Sequence, residues 1–518
     1  MSTNAIDLSL SESELSQPRG LYLLFFIELW ERFGFFAVQA LLVMYLTKQF
    51  SFTDSHAYEL FSAYGALIYA TPIIGGYLAD KILGFRRAIF LGGVIYLISY
   101  FSLASLNKHT FYLSLAGLIC GNGFFKANVA SLLGTLYRLK DPRRDSGFTI
   151  FYMGINLGGF VAGISCSMIA AKYGWQYGFA VPGLGMIICL SACILGFKSL
   201  GENGAAPNPQ LLSKKILPGL SLKYFIYLCT IGVIYLISVL IIHANLVSNV
   251  LIISGIAAFT SLLIMGLFEE RERRNKLFAL LLLMLFSIAF WALYTQMFSS
   301  LTLFTDRLLN RDLMGYMIPA STFSSLNPFL IFILSPFMAI LWFKIYKKSW
   351  NPSTSMKFAI ALILAGAGFI FLKLGISFAG YGSSVACIWL IQLYVLQTIG
   401  ELCLSPVGLS AVTELAPPKL VGMVMGVWYM SLSVAFSVGG RIADLTAIPK
   451  SLTDLNVIAH IYAKNFLYFG SAGVLIGVLL IMFTPQLKKM MNEKTIILLP
   501  EGEKVPKADE GVLNSYDH

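Results

Sequence analysis

Long apolar runs follow one another along almost the whole chain. Six fall at about 21–47, 57–80, 86–106, 110–136, 146–171 and 176–199, and two more at about 222–244 and 247–268. Six further runs cover about 277–303, 316–343, 356–378, 383–415, 420–446 and 463–484. A bilayer core is crossed by roughly 20 apolar residues in a helix. Inside hydrocarbon the backbone polar groups must be satisfied within the segment, so such runs fold as helices. With 57% hydrophobic and only 12% charged residues over 518 positions, the chain is too apolar throughout for a soluble domain. The expected fold class is an all-α polytopic membrane protein of about fourteen transmembrane helices. The runs group as six, two and six. That grouping divides the chain into a disordered tail at 1–17, a six-helix bundle at 18–200, a linker and inserted two-helix hairpin at 201–276, a second six-helix bundle at 277–485 and a disordered tail at 486–518.

The formal net charge of +11 would suggest nucleic acid if the bases formed a stripe. They gather instead in alternate loops. Lys81, Arg86 and Arg87 follow the second run; Arg138, Lys140, Arg143 and Arg144 the fourth; Lys214, Lys215 and Lys223 the sixth. Arg271, Arg273, Arg274 and Lys276 follow the eighth, and Lys344, Lys347 and Lys348 the tenth, with Lys48, Lys108, Lys172 and Lys450 as scattered exceptions. This bias toward one side puts both termini in the cytoplasm and leaves no nucleic-acid footprint. The first 17 residues lack the basic start and small-residue cleavage site of a secretory signal, so the first run is expected to be retained. The 7 cysteines have no metal or disulfide spacing, and the 5 histidines, His56, His109, His243, His460 and His518, form no HExxH pattern. No cofactor or metal is expected, and an intramembrane enzyme is a poor reading.

Charges inside apolar runs cost at least ~2.5 kcal/mol each at a helix centre and usually handle ions or substrates. The first run carries three, in Phe25-Phe-Ile-Glu28-Leu-Trp-Glu31-Arg32-Phe33-Gly-Phe35-Phe36. Glu28, Glu31 and Arg32 share one helical face, which Phe35, Phe36 and Gln39 continue. A structural glutamate–arginine clasp is the plainer alternative. The fourth run holds one ammonium, in Gly121-Asn-Gly123-Phe-Phe-Lys126-Ala-Asn128. The twelfth holds one carboxylate, in Gly400-Glu401-Leu-Cys-Leu-Ser405-Pro406-Val-Gly408-Leu-Ser410, where Pro406 allows a bend. These two runs occupy equivalent places in the two halves, so Lys126 and Glu401 would face each other across a pseudo-twofold. They then either receive the two ends of a zwitterion or form an interhelical salt bridge. Other polar groups recur in the runs: Asn156 within Phe151-Tyr152-Met-Gly154-Ile-Asn156-Leu-Gly158-Gly159, Trp291, Tyr294 and Gln296 in the ninth, Asn327-Pro328 in the tenth and Trp428 in the thirteenth. Gly154 and Gly158 have close-packing spacing. The aromatics read as packing at least as readily as ligand contact, and either asparagine could simply join helices.

The loop Gly76-Tyr-Leu-Ala-Asp80-Lys-Ile-Leu-Gly84-Phe-Arg86-Arg87 resembles the signature loop of the major facilitator superfamily, although the same residues suit an ordinary turn. Taken with Glu28-x-x-Glu31-Arg32-Phe33, the motif around Lys126, Phe151-Tyr152-x-x-Ile155-Asn156-x-Gly158, Asn327-Pro328, Glu401 through Ser410, Ala416-Pro417 and Gly422 through Trp428, the chain is similar to the proton-dependent oligopeptide transporter family over about residues 20–485. The inserted pair is similar to that of bacterial members. The resemblance implies the major facilitator fold and a proton-coupled symporter that imports di- and tripeptides across the cytoplasmic (inner) membrane by alternating access, as a monomer in the lipid bilayer. By the same resemblance Glu31 is the proton-coupling carboxylate, with Arg32 its partner and Glu28 in support. Lys126 takes the peptide carboxylate and contributes to coupling, and Glu401 takes the ammonium. Tyr69, Asn156, Trp291, Asn327, Ser405 and Trp428 join Phe35, Phe36 and Gln39 around the substrate.

The sequence departs from the family pattern at places that face substrate. Phe35 and Phe36 stand where the family usually has tyrosines, so two hydroxyls are missing, and Gln39 stands where many members have arginine. Tyr294 and Thr295 replace acids found in some relatives, and Ala127 replaces the usual proline after the lysine. A site built around hydrogen bonds discriminates strongly against ligands that cannot make them. A proton-coupled carrier of another peptide-like or amino-acid-derived solute is therefore the competing reading.

Overall fold

The computed structural model describes residues 16–138, 141–347 and 352–492. The expected tails at 1–15 and 493–518, and the bases Lys140 and Lys348, lie outside these residues. Fourteen long helices are described: α1 Arg19–Lys48, α2 Asp54–Leu78, α3 Phe85–Ala104, α4 Lys108–Gly134, α5 Arg144–Tyr173 and α6 Trp175–Gly196. The inserted pair is α7 Leu222–Ile242 and α8 Ala244–Leu267. Then come α9 Arg271–Tyr294, α10 Leu326–Lys347, α11 Thr354–Ala379, α12 Cys387–Leu415, α13 Val421–Asp444 and α14 Leu455–Met491.

Of these, 12 are apolar enough to count as membrane spans by composition alone. The two that fall short are α1 and α4, which carry Glu28, Glu31 and Arg32, and Asn122, Lys126 and Asn128. Polar side chains that weaken a helix as a lipid-facing element are tolerated when they turn inward. All but one of those six are buried, and Lys126 is half-buried.

Three ends differ from the hydropathy pattern. The run at 316–343 begins as a two-residue strand, Tyr316–Met317, paired with Asp312–Leu313, and becomes helical only through a 3-10 segment at Ala320–Ser325. The final helix starts at Leu455, capped by the Asp454 carboxylate, and runs to Met491, beyond the expected start of a tail at 486. At the other terminus, Ser16 and Gln17 are fixed rather than loose. Arg143 donates to the Ser16 carbonyl (2.8 Å) and Tyr137 to the Gln17 side chain (2.8 Å). The same arginine hydrogen-bonds both Asp141 oxygens and holds that carboxyl down to about 2.

Close packing follows small residues. A Cβ at Gly158 of α5 would come within 2.5 Å of the Leu29 carbonyl, so α5 presses directly on α1 beside Arg32. Gly154 lies likewise against Phe25, which makes the expected glycine face a contact with α1. In the loop after α2, Gly84 adopts φ +78° against the backbone of Ala205, a conformation and a space that suit only glycine. Arg86 then donates to the carbonyls of Gly201 and Asn203, gathering the linker onto the loop. Asp80 pairs with exposed Lys81 at 2.9 Å, a Cβ at Gly76 would come 3.7 Å from the Ala127 methyl, and Arg87 donates to Leu83.

The two halves are knitted at the end where α1 finishes and α2 begins. Asp54, buried at the start of α2, receives two bonds from Arg307 (2.6 and 2.8 Å) and one from the Ile448 amide (2.9 Å). Arg307 also reaches the Tyr462 hydroxyl, and Lys48 pairs with Asp306 at 2.6 Å. Deeper, the Ser62 hydroxyl donates to Phe436 (2.8 Å) and Phe160 stacks on Phe329. Toward the opposite end α4 packs on α2, α3 and α7, whereas α12 packs on α9, α10, α11 and α13 of its own half.

Candidate transport site

On the wall formed by the first half, Arg32 donates from two nitrogens to the two Glu31 oxygens, one bond at 2.6 Å. The Tyr96 hydroxyl of α3 donates to the same carboxylate at 2.9 Å. Glu31 is therefore held purely as an acceptor, by two helices. Asn122 of α4 completes the cluster: its oxygen takes bonds from Arg32 (3.4 Å) and Tyr96 (3.2 Å), while its nitrogen donates to Ile68 (2.7 Å). Glu28, one turn back on α1, stands 3.4 Å from Arg32 with its other oxygen buried and unbonded. Because residues three and four apart share a face, one guanidinium spans both glutamates.

Phe35 lies between this cluster and Lys126. The Arg32 guanidinium sits 4.5 Å from its ring and the Lys126 ammonium 5.8 Å, with Tyr69 presenting its ring to the same ammonium at 4.3 Å. Two aromatic faces thus stabilise a cation that, among the described residues, has no carboxylate within ion-pair distance. Phe36 turns edge-on to Phe35 and packs on Gly159 of α5. Gln39 is buried one further turn along, its oxygen unbonded.

On the wall formed by the second half, Glu401 of α12 is buried and receives the Asn327 amide at 2.8 Å. Asn327 also donates to Thr398 (3.1 Å) and accepts from Tyr294 (3.0 Å), so one side chain of α10 ties α9 and α12 together around the carboxylate. Glu401 lies within electrostatic reach of the Tyr69, Tyr152 and Tyr294 hydroxyls. Lys126 and Glu401 make no ion pair: the ammonium rests on aromatic rings and the carboxylate on an amide.

The remaining sequence candidates divide. Trp291 stacks edge-on against Tyr294 at 5.0 Å, its indole N–H unbonded. Ser405 is half-buried, four residues beyond Glu401, and Trp428 covers Gly408 of the same helix. Asn156 is buried and bonds the Tyr152 carbonyl of its own helix. Gln296 leaves the cavity group altogether, since it donates to Ala292 and Gly439 and accepts from Ser300, joining α9 to α13. Sequence reasoning missed Tyr96 and Asn122, whose types are ordinary in a helix. It also missed Asp54 and Arg307, which look like loop charges until the chain is folded.

The POT family profile matches residues 86–459 of this chain. The chain belongs to the POT family. Among curated relatives, the dipeptide and tripeptide permease A of Escherichia coli (strain K12) is 35% identical, over 94% of this chain and 96% of its own length. That of Serratia proteamaculans (strain 568) is also 35% identical, over 93% and 94%. A solved peptide transporter POT in complex with sulfate superposes with a TM-score of 0.78 at 32% identity, covering 92% of this chain and 96% of that one. A POT family transporter in complex with 5-aminolevulinic acid gives a TM-score of 0.78 at 29% identity, covering 91% and 97%. The major facilitator architecture and the reading as a multi-pass membrane transporter, rather than an enzyme, rest on these matches together with the fourteen helices.

Proposed function

We propose that this POT-family protein imports di- and tripeptides together with protons across the inner membrane by alternating access. The observation that carries the reading is the separation of Lys126 from Glu401. One wall offers a cation with no ion-pair partner among the described residues and the other a carboxylate held by an amide, the two complements of a peptide zwitterion. Lys126 would take the peptide carboxylate and Glu401 its ammonium. Phe35, Phe36, Gln39, Tyr69, Asn156, Trp291, Asn327, Ser405 and Trp428 would line the space between. Relatives named as dipeptide and tripeptide permeases support this substrate class.

Glu31 would carry the proton. While Arg32 and Tyr96 all donate to it, the carboxylate is locked as an acceptor. Protonation would convert one of its oxygens into a donor, loosen Arg32, and free the guanidinium to swing toward Glu28 or Lys126's neighbourhood. If one proton accompanies a neutral zwitterion, one charge enters per cycle. Each 100 mV then supplies ~2.3 kcal/mol, which is roughly fifty-fold accumulation.

With both termini in the cytoplasm, as the basic loops indicate, the Asp54–Arg307 end faces outward and is closed. The monomer would be the working unit, its two six-helix bundles at 18–200 and 277–485 rocking about the site. A second reading, transport of another amino-acid-derived solute, is favoured by Phe35, whose ring faces two cations where a hydroxyl would offer a peptide a hydrogen bond.

Uptake into proteoliposomes tests both. Dialanine, trialanine, a bulky apolar dipeptide and free alanine are supplied with and without an inward proton gradient and negative interior. Peptide accumulation that collapses with ionophore and with Glu31→Gln establishes the first reading. Folded protein that takes up none of the peptides sinks it and moves the search to other solutes.

A further inference from the structure

The two inserted helices do not pack as a hairpin of their own. α7 leans on α4, α8 leans on α13 and α2, and their mutual contact is slight. The gap behind α7 is a cavity of about 280 Å³ between α2, α4 and α7. Its walls are apolar, with Leu78, Phe124, Phe225 and Ile226 at the back. On its outer side Ile74 is 66% exposed, Val233 is 45% exposed and the Cys229 thiol is free and exposed, so the cavity opens toward lipid.

Basic side chains stand near the mouth of this groove. At the start of α7 the Lys223 ammonium lies 5.1 Å from the Tyr224 ring and 5.8 Å from the Tyr227 ring. Tyr227 packs against a buried cluster that includes Ala79, Leu83, Phe124 and Ile226, as do Leu78, Ile82 and Phe85 at the end of α2 and start of α3. Exposed Arg87 lies within electrostatic reach of the Tyr227 hydroxyl. Two bases and two tyrosines therefore sit where an apolar groove meets a membrane interface. Tyrosine favours that depth, and basic pockets between membrane helices attract anionic headgroups. An apolar void left empty forfeits its dispersion contacts, so a groove open to the bilayer draws in hydrocarbon.

We propose that this groove binds one anionic phospholipid, with an acyl chain in the cavity behind α7 and the phosphate between Arg87 and Lys223. The cavity is lined by Gly123 and Phe124, one turn before Lys126 on α4, so the lipid presses on the helix that carries the ammonium of the transport site. The first inserted helix, α7, then serves as the outer wall of a lipid site. The assignment rests on the topology proposed above only for which leaflet supplies the lipid. Binding in detergent is independent of that topology, so the two can fail separately.

The test uses the full chain in detergent, carrying Cys120→Ala and Cys387→Ser. Cys120 lines the cavity and Cys387 is half-buried, whereas the remaining 4 cysteines besides Cys229 are buried, so with both replaced maleimide reports on Cys229. Phosphatidylglycerol should protect this thiol at lower concentration than phosphatidylethanolamine of the same chains, and native mass spectrometry should count one retained phosphatidylglycerol. Lys223→Gln should weaken protection roughly fivefold, and Lys223→Gln with Arg87→Gln roughly twenty-fivefold. Cys229→Phe, which fills the cavity without altering charge, should lose the retained lipid. Equal protection by both lipids, no protection, an unaffected double variant, or a lipid retained by Cys229→Phe would each overturn the proposal.

Discussion

The two walls of the transport site handle buried charge in opposite ways. On the first half, Glu31 and Arg32 share one helix and are bonded to each other and by Tyr96 and Asn122 from two others, so Glu31 sits in a closed network, although one oxygen of neighbouring Glu28 stays unbonded. On the second half, Glu401 depends on one amide, and its neighbour Gln397, a turn earlier, is fully buried with neither polar atom bonded. A closed network suits a group that must change protonation without leaving the protein. A sparsely satisfied carboxylate suits one that waits for a ligand, because an unmet buried acceptor is costly and a visiting ammonium relieves it.

Glu31→Gln is the strongest way to break the contrast. It should reduce gradient-driven accumulation from roughly fifty-fold to none, while exchange of labelled for unlabelled peptide at equal concentration persists. Loss of both activities together would assign Glu31 to the ligand-binding wall. Next in size, Glu401→Gln and Lys126→Gln each remove a charge-assisted bond worth about 1.5–3 kcal/mol. The KM for dialanine should rise roughly tenfold to a hundredfold. N-acetylated dialanine, which lacks the ammonium, should respond only to Lys126→Gln, and equal responses would remove the polarity assigned to the site.

Asn327→Ala sharpens the account of the second wall. It removes the side chain that positions Glu401 between α9 and α12 and should raise the KM about fivefold, about 1 kcal/mol of lost positioning, measured beside a melting temperature to separate binding from folding. Gly158→Ala probes the first wall through packing alone. Its new methyl meets the Leu29 carbonyl at 2.5 Å, and overpacking of this kind costs about 1–3 kcal/mol, visible as a lower Tm in detergent. The smallest change is expected from Phe35→Tyr. Phe35 is 5% exposed, so a hydroxyl there should alter dialanine KM by less than about threefold, well under one 1.4 kcal/mol decade. A larger gain would mean that the missing hydroxyls narrow the substrate range.

Much of the site was legible because charge within an apolar run is a local contradiction. Glu28, Glu31, Arg32, Lys126 and Glu401 each interrupt hydropathy, and motif order did the rest. Tyr96 and Asn122 were not legible, since a phenol or an amide is unremarked in a helix until a carboxylate is seen against it. Gln296 misled for the converse reason: its polarity is spent on Gly439 and Ser300, between helices. Asp54 and Arg307 are 253 residues apart, and nothing in either neighbourhood names the other.

The sequence by itself determined how many helices cross the membrane, which loops carry the positive charge and which spans hold ionisable groups. These follow from transfer free energies that add residue by residue along the chain. Only the tertiary structure decided that Lys126 and Glu401 stand apart, that one arginine serves two glutamates, and that α7 leaves a groove against α2 and α4. Such facts depend on the rotation and spacing of helices far apart in the chain, and a hydrogen bond is made or lost over a few tenths of an ångström.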